Sequence, residues 1–177
     1  MSTPEKRQFN GLNVGDFEEA LESIQSQDGA QHAPKKARIQ WQGGFKFSAL
    51  TRNHTFLVDE PTHLTGEDEA PNSMEYVLGA YGACLATGFV LHASLQGITI
   101  GNMEIVLDAD QDNVFTFFGL GGEGHSGFRS VTAKLYVQAD ADEEDLRRLW
   151  EQTVDTSPVG NSLIRNVVIK PELDIVA

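Results

Sequence analysis

Cys84 is the only cysteine among the 177 residues, and no other side chain here is so suited to nucleophilic or redox chemistry. The reacting form is the thiolate, so such a residue needs a nearby cation to favour loss of its proton. Its neighbours one helical turn away, Ala80 and Gly88, are small and leave a path to the sulfur. The bland reading is an inert packing residue, the ordinary fate of a lone cysteine in an apolar helix, and spacing alone favours it. Glu75 stands nine residues before the thiol, but Asn72 and Glu75 also have the spacing of a capping box. That structural duty competes with any role in activating a thiol. His92 lies two turns beyond Cys84, too far along a helix for direct contact, and reads as a satisfied core histidine rather than a base. His54 falls in a turn and His125 in a glycine-rich loop. The five histidines show no metal-ligand spacing, so no metal is expected. Gly121-Gly-Glu-Gly124 lacks the Lys-Ser/Thr ending of a phosphate loop, and no cofactor is expected either.

The elements that must position these residues follow from periodicity. Val14, Phe17, Leu21 and Ile24 form one helical stripe, with Asp16 and Glu19 spaced as its capping box and Asp28-Gly29 as its stop. The stretch from there to Lys36 reads as a linker, so residues 1–36 are expected to be an arm packed on the main body. From Ala37 the period becomes two: Arg38 to Gln42, a Gly43-Gly44 turn and Phe45 to Leu50 read as a hairpin, with Thr55 to Val58 as a third strand. A polar loop from Pro61 to Pro71 precedes a long helix from Asn72 to about Leu95, stopped by Gly97. Strands are expected at Met103 to Ala109, Val114 to Phe118 and Ser130 to Ala139. Helices are expected from near Asp142 and from Pro158, and Val167 to Val176 should close the chain as a strand. The class is α+β.

The long helix carries Gly79, Gly82 and Gly88 in its interior, each costing about 1 kcal/mol relative to alanine. Gly79, Gly82, Ala83 and Ala86 would make a smooth stripe that a second helix backbone can approach. With Leu78, Leu85, Phe89 and Leu91 on the other faces, the helix is apolar all round and must be enclosed. The partner that suits it is a second copy of the chain.

Composition limits the function. Hydrophobic content of 40% and 22% charged residues describe a globular chain. A net charge of -13 argues against nucleic acid, which needs clustered Lys and Arg. The acids at Asp59, Glu60, Glu67 to Glu69 and around Asp142 to Asp145 read as solvated loops. The N-terminal sequence lacks a signal-peptide pattern, and a single cysteine fits a reducing compartment, so the cytoplasm is expected. Tyr76 to Met103 is free of Asp, Glu, Lys and Arg. Gly, Ser, Thr, Gln and His92 dilute it, however, and a buried core helix is the better account than a membrane span.

Four blocks in order, Trp41-Gln-Gly-Gly44, Pro71-Asn-Ser-Met-Glu75, Gly79-Ala-Tyr-Gly-Ala-Cys-Leu85 and Ser157-Pro-Val-Gly-Asn-Ser-Leu163, resemble the OsmC-like superfamily, which includes the organic hydroperoxide resistance proteins. The stretch from Asn53-His54 through Val58-Asp-Glu-Pro61 is similar to one OsmC-like subgroup. The resemblance covers about Ala37 to Val176 and implies an OsmC-like domain over 37–177. It implies curved antiparallel sheets wrapped around central helices in an intertwined homodimer, with sites at the dimer interface. It further implies a thiol-dependent peroxidase acting on organic hydroperoxides in oxidative-stress defence, with Cys84 as nucleophile and Glu75 as the matched activator. The family's second, resolving cysteine precedes a proline, where this chain has Ser157; serine forms no disulfide, so an external thiol reductant is required. The family's arginine position is Phe45, with Lys46 on the opposite strand face. Arg52, Arg129 and Arg165 remain as cations from elsewhere. The ten-residue spacing of the hydroperoxide resistance glutamate falls on Met74. These departures keep open an alternative: a non-catalytic dimer that binds an apolar small molecule at its interface.

Overall fold

The computed structural model describes residues 7–26 and 33–176. The expected helix stop at Asp28-Gly29 lies outside them. A two-stranded hairpin of β1 (Gln8–Phe9) and β2 (Leu12–Asn13) leads into α1 (Val14–Gln25). Asn13, not Asp16, caps this helix: the Asn13 side chain accepts the Asp16 N–H. The Asp16-to-Glu19 spacing is therefore one turn too late, because the asparagine is the earlier good cap. Asn10, in the turn of this hairpin, is tied to the end of the central helix and the strand after it. Its side-chain N–H groups reach Ser94 Oγ at 3.0 Å and the Ile98 carbonyl at 2.9 Å, and its oxygen accepts the Ile100 N–H at 2.8 Å.

Strands β3 (Arg38–Gly43), β4 (Lys46–Thr51) and β5 (His54–Val58) form an antiparallel sheet in the order β3-β4-β5. The central helix α2 (Ser73–Leu95) starts at the expected capping box: Asn72 accepts the Met74 and Glu75 N–H groups at 3.0 Å each, and Glu75 accepts the Asn72 N–H at 2.8 Å. Tyr76 ties it to β5 by donating its hydroxyl to the Leu57 carbonyl at 2.6 Å. Long antiparallel strands β6 (Ile100–Gln111) and β7 (Phe128–Ala139) follow, then α3 (Glu143–Thr156) and α4 (Pro158–Ile164). Alternate residues of β6 and β7 turn inward, among them Met103, Leu135 and Val137, and pack with Leu146 and Trp150 on a core of Phe89, Ala93, Ile98 and Leu149.

Four expectations are corrected. Val114–Thr116 is a 3₁₀ turn, not the start of a strand, because Asn113 caps it by accepting the Phe115 N–H. The segment 167–176 is not a strand in this chain; no backbone partner meets it among the described residues. Its apolar side chains stand in solvent, from 60% exposed at Val167 to 91% at Val176. The acidic loop is not wholly solvated: Asp59 is buried and accepts the N–H groups of Glu60 at 2.8 Å and of Glu67 and Glu69 at 3.2 Å. Finally, the small-residue stripe of α2 divides. A Cβ on Gly82 would meet Leu107 of β6 at 2.7 Å and one on Gly88 would meet Thr153 of α3 at 3.2 Å, so these glycines serve packing within the chain. Gly79, Ala80, Ala83 and Thr87 form a different stripe, and it is open.

The central helix is long and apolar enough to cross a membrane by length and composition. Its buried residues are Gly82, Leu85, Phe89, Ala93 and Ser94. Within one chain, then, α2 is enclosed on one face only.

Candidate functional site around Cys84 and the foot of the central helix

Cys84 sits at the middle of α2, half-buried, on the side that faces α3 and α4. The chain turns from α3 into α4 at Ser157, which closes the first helix and caps the second. Its side chain accepts the Gly160 N–H at 3.1 Å and donates its hydroxyl to the Cys84 sulfur at 3.3 Å. Ser157 is 3% exposed, so the hydroxyl end of this contact is buried while the sulfur end is half-buried. Pro158 follows at the first helical position, where a missing N–H costs nothing. Gly160 lets α4 approach: a Cβ there would be 3.0 Å from the Tyr81 ring and 3.2 Å from the Ser157 oxygen. The fold thus brings the two sequence-matched positions, Cys84 and Ser157, into direct contact.

The cations distribute unevenly. Arg129 lines a cavity of about 390 Å³ with Tyr81, Ser130, Gly160, Leu163 and Ile164, beside the Ser157 turn, and pairs with Asp110 at 3.3 Å. Arg165 donates to Asn161 at 2.8 Å, and Arg52 occupies the β4–β5 turn with φ +53°. Lys46 is held by Glu67 and by Glu69, the latter at 2.8 Å, which pushes its pKa up and keeps it charged. Among the described residues, Ser157 is the one hydrogen-bond donor to Cys84. His92 ties α2 to α3 through Thr156 at 3.2 Å and Gln152 at 3.4 Å, a structural use of the ring.

Glu75 does not join Cys84. Its carboxylate is spent at the helix start, and nine residues at 1.5 Å each separate the two by about 13 Å. The foot of α2 instead builds a second feature. Phe45, Met74, Val114, Phe117 and Phe118 line a largely apolar cleft of about 290 Å³, with Glu60 as its carboxylate. Phe45 and Met74 were singled out in the sequence; Glu60 as a lining group and the two later phenylalanines were not. Glu60 was hidden in a charge run, and the aromatic run read as a strand. The loop that carries the phenylalanines is fixed rather than loose. Asn113 donates to the Glu123 carbonyl at 2.8 Å, Asp112 accepts the His125 N–H at 2.9 Å, and Gln111 donates to the Ser126 carbonyl at 2.7 Å.

A sequence model of the family described as OsmC-like protein matches residues 66–172. No curated protein matches the chain. Among solved structures, an OsmC-like protein from Mycoplasma pneumoniae is similar with a TM-score of 0.64 at 15% identity, covering 75% of this chain and 89% of that one. An organic hydroperoxide resistance protein OsmC from Legionella pneumophila aligns at TM-score 0.57 and 16% identity, covering 76% and 92%. An organic hydroperoxide resistance protein from Elizabethkingia anophelis aligns at TM-score 0.55 and 19% identity, covering 77% and 91%. At these identities the structures speak for the fold.

Proposed function

Because the chain belongs to the OsmC-like family, with an α+β OsmC-like fold, we propose that it reduces organic hydroperoxides through Cys84, in the cytoplasm, as a homodimer that depends on an external thiol. The observation that carries this reading is the 3.3 Å contact from Ser157 to the Cys84 sulfur, since it joins the two positions where the family's thiol pair would stand. The thiolate attacks the terminal peroxide oxygen, the O–O bond breaks, and the alkoxide takes up the thiol proton to leave as an alcohol. Cys84 is thereby oxidised by two electrons to a sulfenic acid. Ser157 cannot condense with it. An outside thiol does so instead, expelling water and forming a mixed disulfide. A second thiol attacks that disulfide, restores Cys84 and leaves as the oxidised reductant.

The dimer is supported by what one chain leaves uncovered. The open stripe of Gly79, Ala80 and Ala83 lies beside a broad apolar groove lined by Phe56, Tyr76, Val77 and Leu78. In the tail, Ile169, Leu173 and Ile175 alternate with Lys170, Glu172 and Asp174, interrupted by Pro171 and flanked by Val167-Val168 and Val176, which is close to the pattern of a half-buried strand without a sheet. The cleft gives a further reason. Phe45 and Met74, the positions matched to the family's arginine and glutamate, line it, and Met74 stands ten residues, about 15 Å, from its own Cys84, so a thiol working with those positions would be the second copy's.

The test is consumption of an organic hydroperoxide with a dithiol reductant, comparing the native chain with Cys84→Ser. Turnover that disappears in the variant is expected. Equal consumption by both proteins, across several reductants, would sink the peroxidase reading and leave a binding dimer.

A further inference from the structure

Ser157 stands where a second sulfur would, so the outside thiol that replaces it has to reach Cys84 near that turn. The cavity bordering the turn is the one of about 390 Å³ lined by Tyr81, Phe128, Arg129, Gly160, Leu163 and Ile164. Two of its walls adjoin the Cys84–Ser157 pair. Tyr81 precedes Cys84 by three residues on α2, and so shares its face, while a Cβ on Gly160 would stand 3.2 Å from the Ser157 oxygen. Tyr81 also lies about 100° around the helix from Ala80, so the cavity opens beside the open stripe and not on it. Its charged wall is Arg129. Asp110, 3.3 Å away, takes one N–H, and among the described residues no other acceptor meets the guanidinium. A guanidinium carries five N–H donors in a fixed fork and keeps its charge, so the remaining donors suit a carboxylate.

We propose that this cavity docks the reductant: a small anionic thiol whose carboxylate binds Arg129 while its sulfur attacks Cys84. The inference rests on the peroxidase reading and adds to it the class of the reducing thiol. A chain of net charge -13 repels anions as a whole, so an anionic reductant needs a fixed local cation at its point of entry. Lys46 is engaged by both Glu67 and Glu69, and Arg165 by Asn161. Arg129 has a single ion-pair partner, and both side chains are two-thirds exposed, so that pair is weak and yields to a better acceptor. Phe128, Leu163 and Ile164 supply apolar walls for the short carbon chain between acid and thiol. The volume of about 390 Å³ lies in the range of small-ligand sites. On the sulfenic acid of Cys84 the incoming sulfur forms an S–S bond, and the hydroxyl leaves as water with the thiol proton. A second thiol molecule then attacks the sulfur of the first, which frees Cys84 and leaves a symmetrical disulfide.

Cys84 is the only thiol, so dithiodipyridine converts the full-length protein into a single mixed disulfide at that residue. Release of thiopyridone by mercaptopropionate, mercaptoethanol and cysteamine is then followed by absorbance. Each rate is divided by that of the same thiol with a free pyridyl disulfide, which removes differences in intrinsic nucleophilicity. The normalised rate for mercaptopropionate should exceed that for mercaptoethanol by about tenfold, with cysteamine slowest. Arg129→Gln should bring mercaptopropionate to the level of mercaptoethanol or below it, and Arg129→Lys should keep part of the preference. Equal rates for the anionic and neutral thiols, a preference that survives Arg129→Gln, or a Cys84 that dithiodipyridine does not reach would each overturn the proposal. No step here uses peroxide. Absence of hydroperoxide turnover would therefore remove the peroxidase reading, while the charge preference stands or falls on its own measurement.

Discussion

Ser157 holds its oxygen 3.3 Å from the Cys84 sulfur, and a disulfide needs about 2.05 Å between sulfurs. Replacing the serine by cysteine leaves little more than one ångström to close. Ser157→Cys should therefore form an intramolecular disulfide with Cys84 on peroxide treatment, seen as loss of both free thiols by mass spectrometry after alkylation. Failure to crosslink would show that the two side chains diverge on oxidation. Ser157→Ala is expected to cost about 1–3 kcal/mol in chemical denaturation, since it strands the buried Gly160 N–H. How these residues were legible differs. Spacing alone left Cys84 a packing residue; the match of Ser157 to the family's second cysteine made the pair visible before any coordinates. Glu60 was illegible, because a carboxylate in an acidic run gives no sign that its neighbours are rings from a loop some 60 positions away.

At the level of elements, the loop between β5 and α2 is built on Asp59 and Gly66. A Cβ on Gly66 would fall 1.7 Å from the Glu60 carbonyl oxygen, so Gly66→Ala should lower stability by about 2–3 kcal/mol in urea denaturation. Burial pushes the Asp59 carboxyl up. Three backbone N–H donors and the charge of Lys46 outweigh it and hold the group below its ordinary value. The native state thus binds this proton less readily than the unfolded chain. Its contribution is present above the unfolded pKa of about 3.9 and is lost as pH falls through the lower folded value. Glu60, held above its ordinary value by burial and then by the negative Glu75 and Asp59, acts with the opposite sign: its contribution is present below the unfolded pKa and is lost as pH rises through the folded one. Thermal midpoints across the acid range should show Asp59→Asn losing the acid-side slope of the native protein, and an unchanged slope would remove Asp59 as its source. Helix α2 was readable to its cap because Asn72, Glu75 and Gly97 are local signals. Val114 to Phe118 was not, because apolar residues in a row do not distinguish a strand from a 3₁₀ turn held by the preceding asparagine.

Across the whole molecule, the apolar surface left by a single chain sets the expected assembly. Sedimentation should give twice the chain mass if the proposed dimer forms, and a chain ended after Arg165 should lose that mass or precipitate, since it lacks the exposed apolar residues from Val167 to Val176 that the proposal assigns to the interface. A truncated chain that still sediments as a well-behaved dimer would exclude the tail from it. The all-apolar character of α2 was legible in the sequence, while the stripe that one chain leaves open was misplaced by one face. Sequence gives the angular positions of small residues, but not that β6 would take Gly82.

The length of helix between Met74 and Cys84 has a genetic consequence under the dimeric reading. Each reaction centre would take its sulfur from one chain and its cleft from the other, so lesions in the two parts would complement. A chain lacking the thiol and a chain with a blocked cleft, each inactive alone, would recover turnover when unfolded together and reassembled. In the mixed pair, one centre inherits both defects and the other inherits neither.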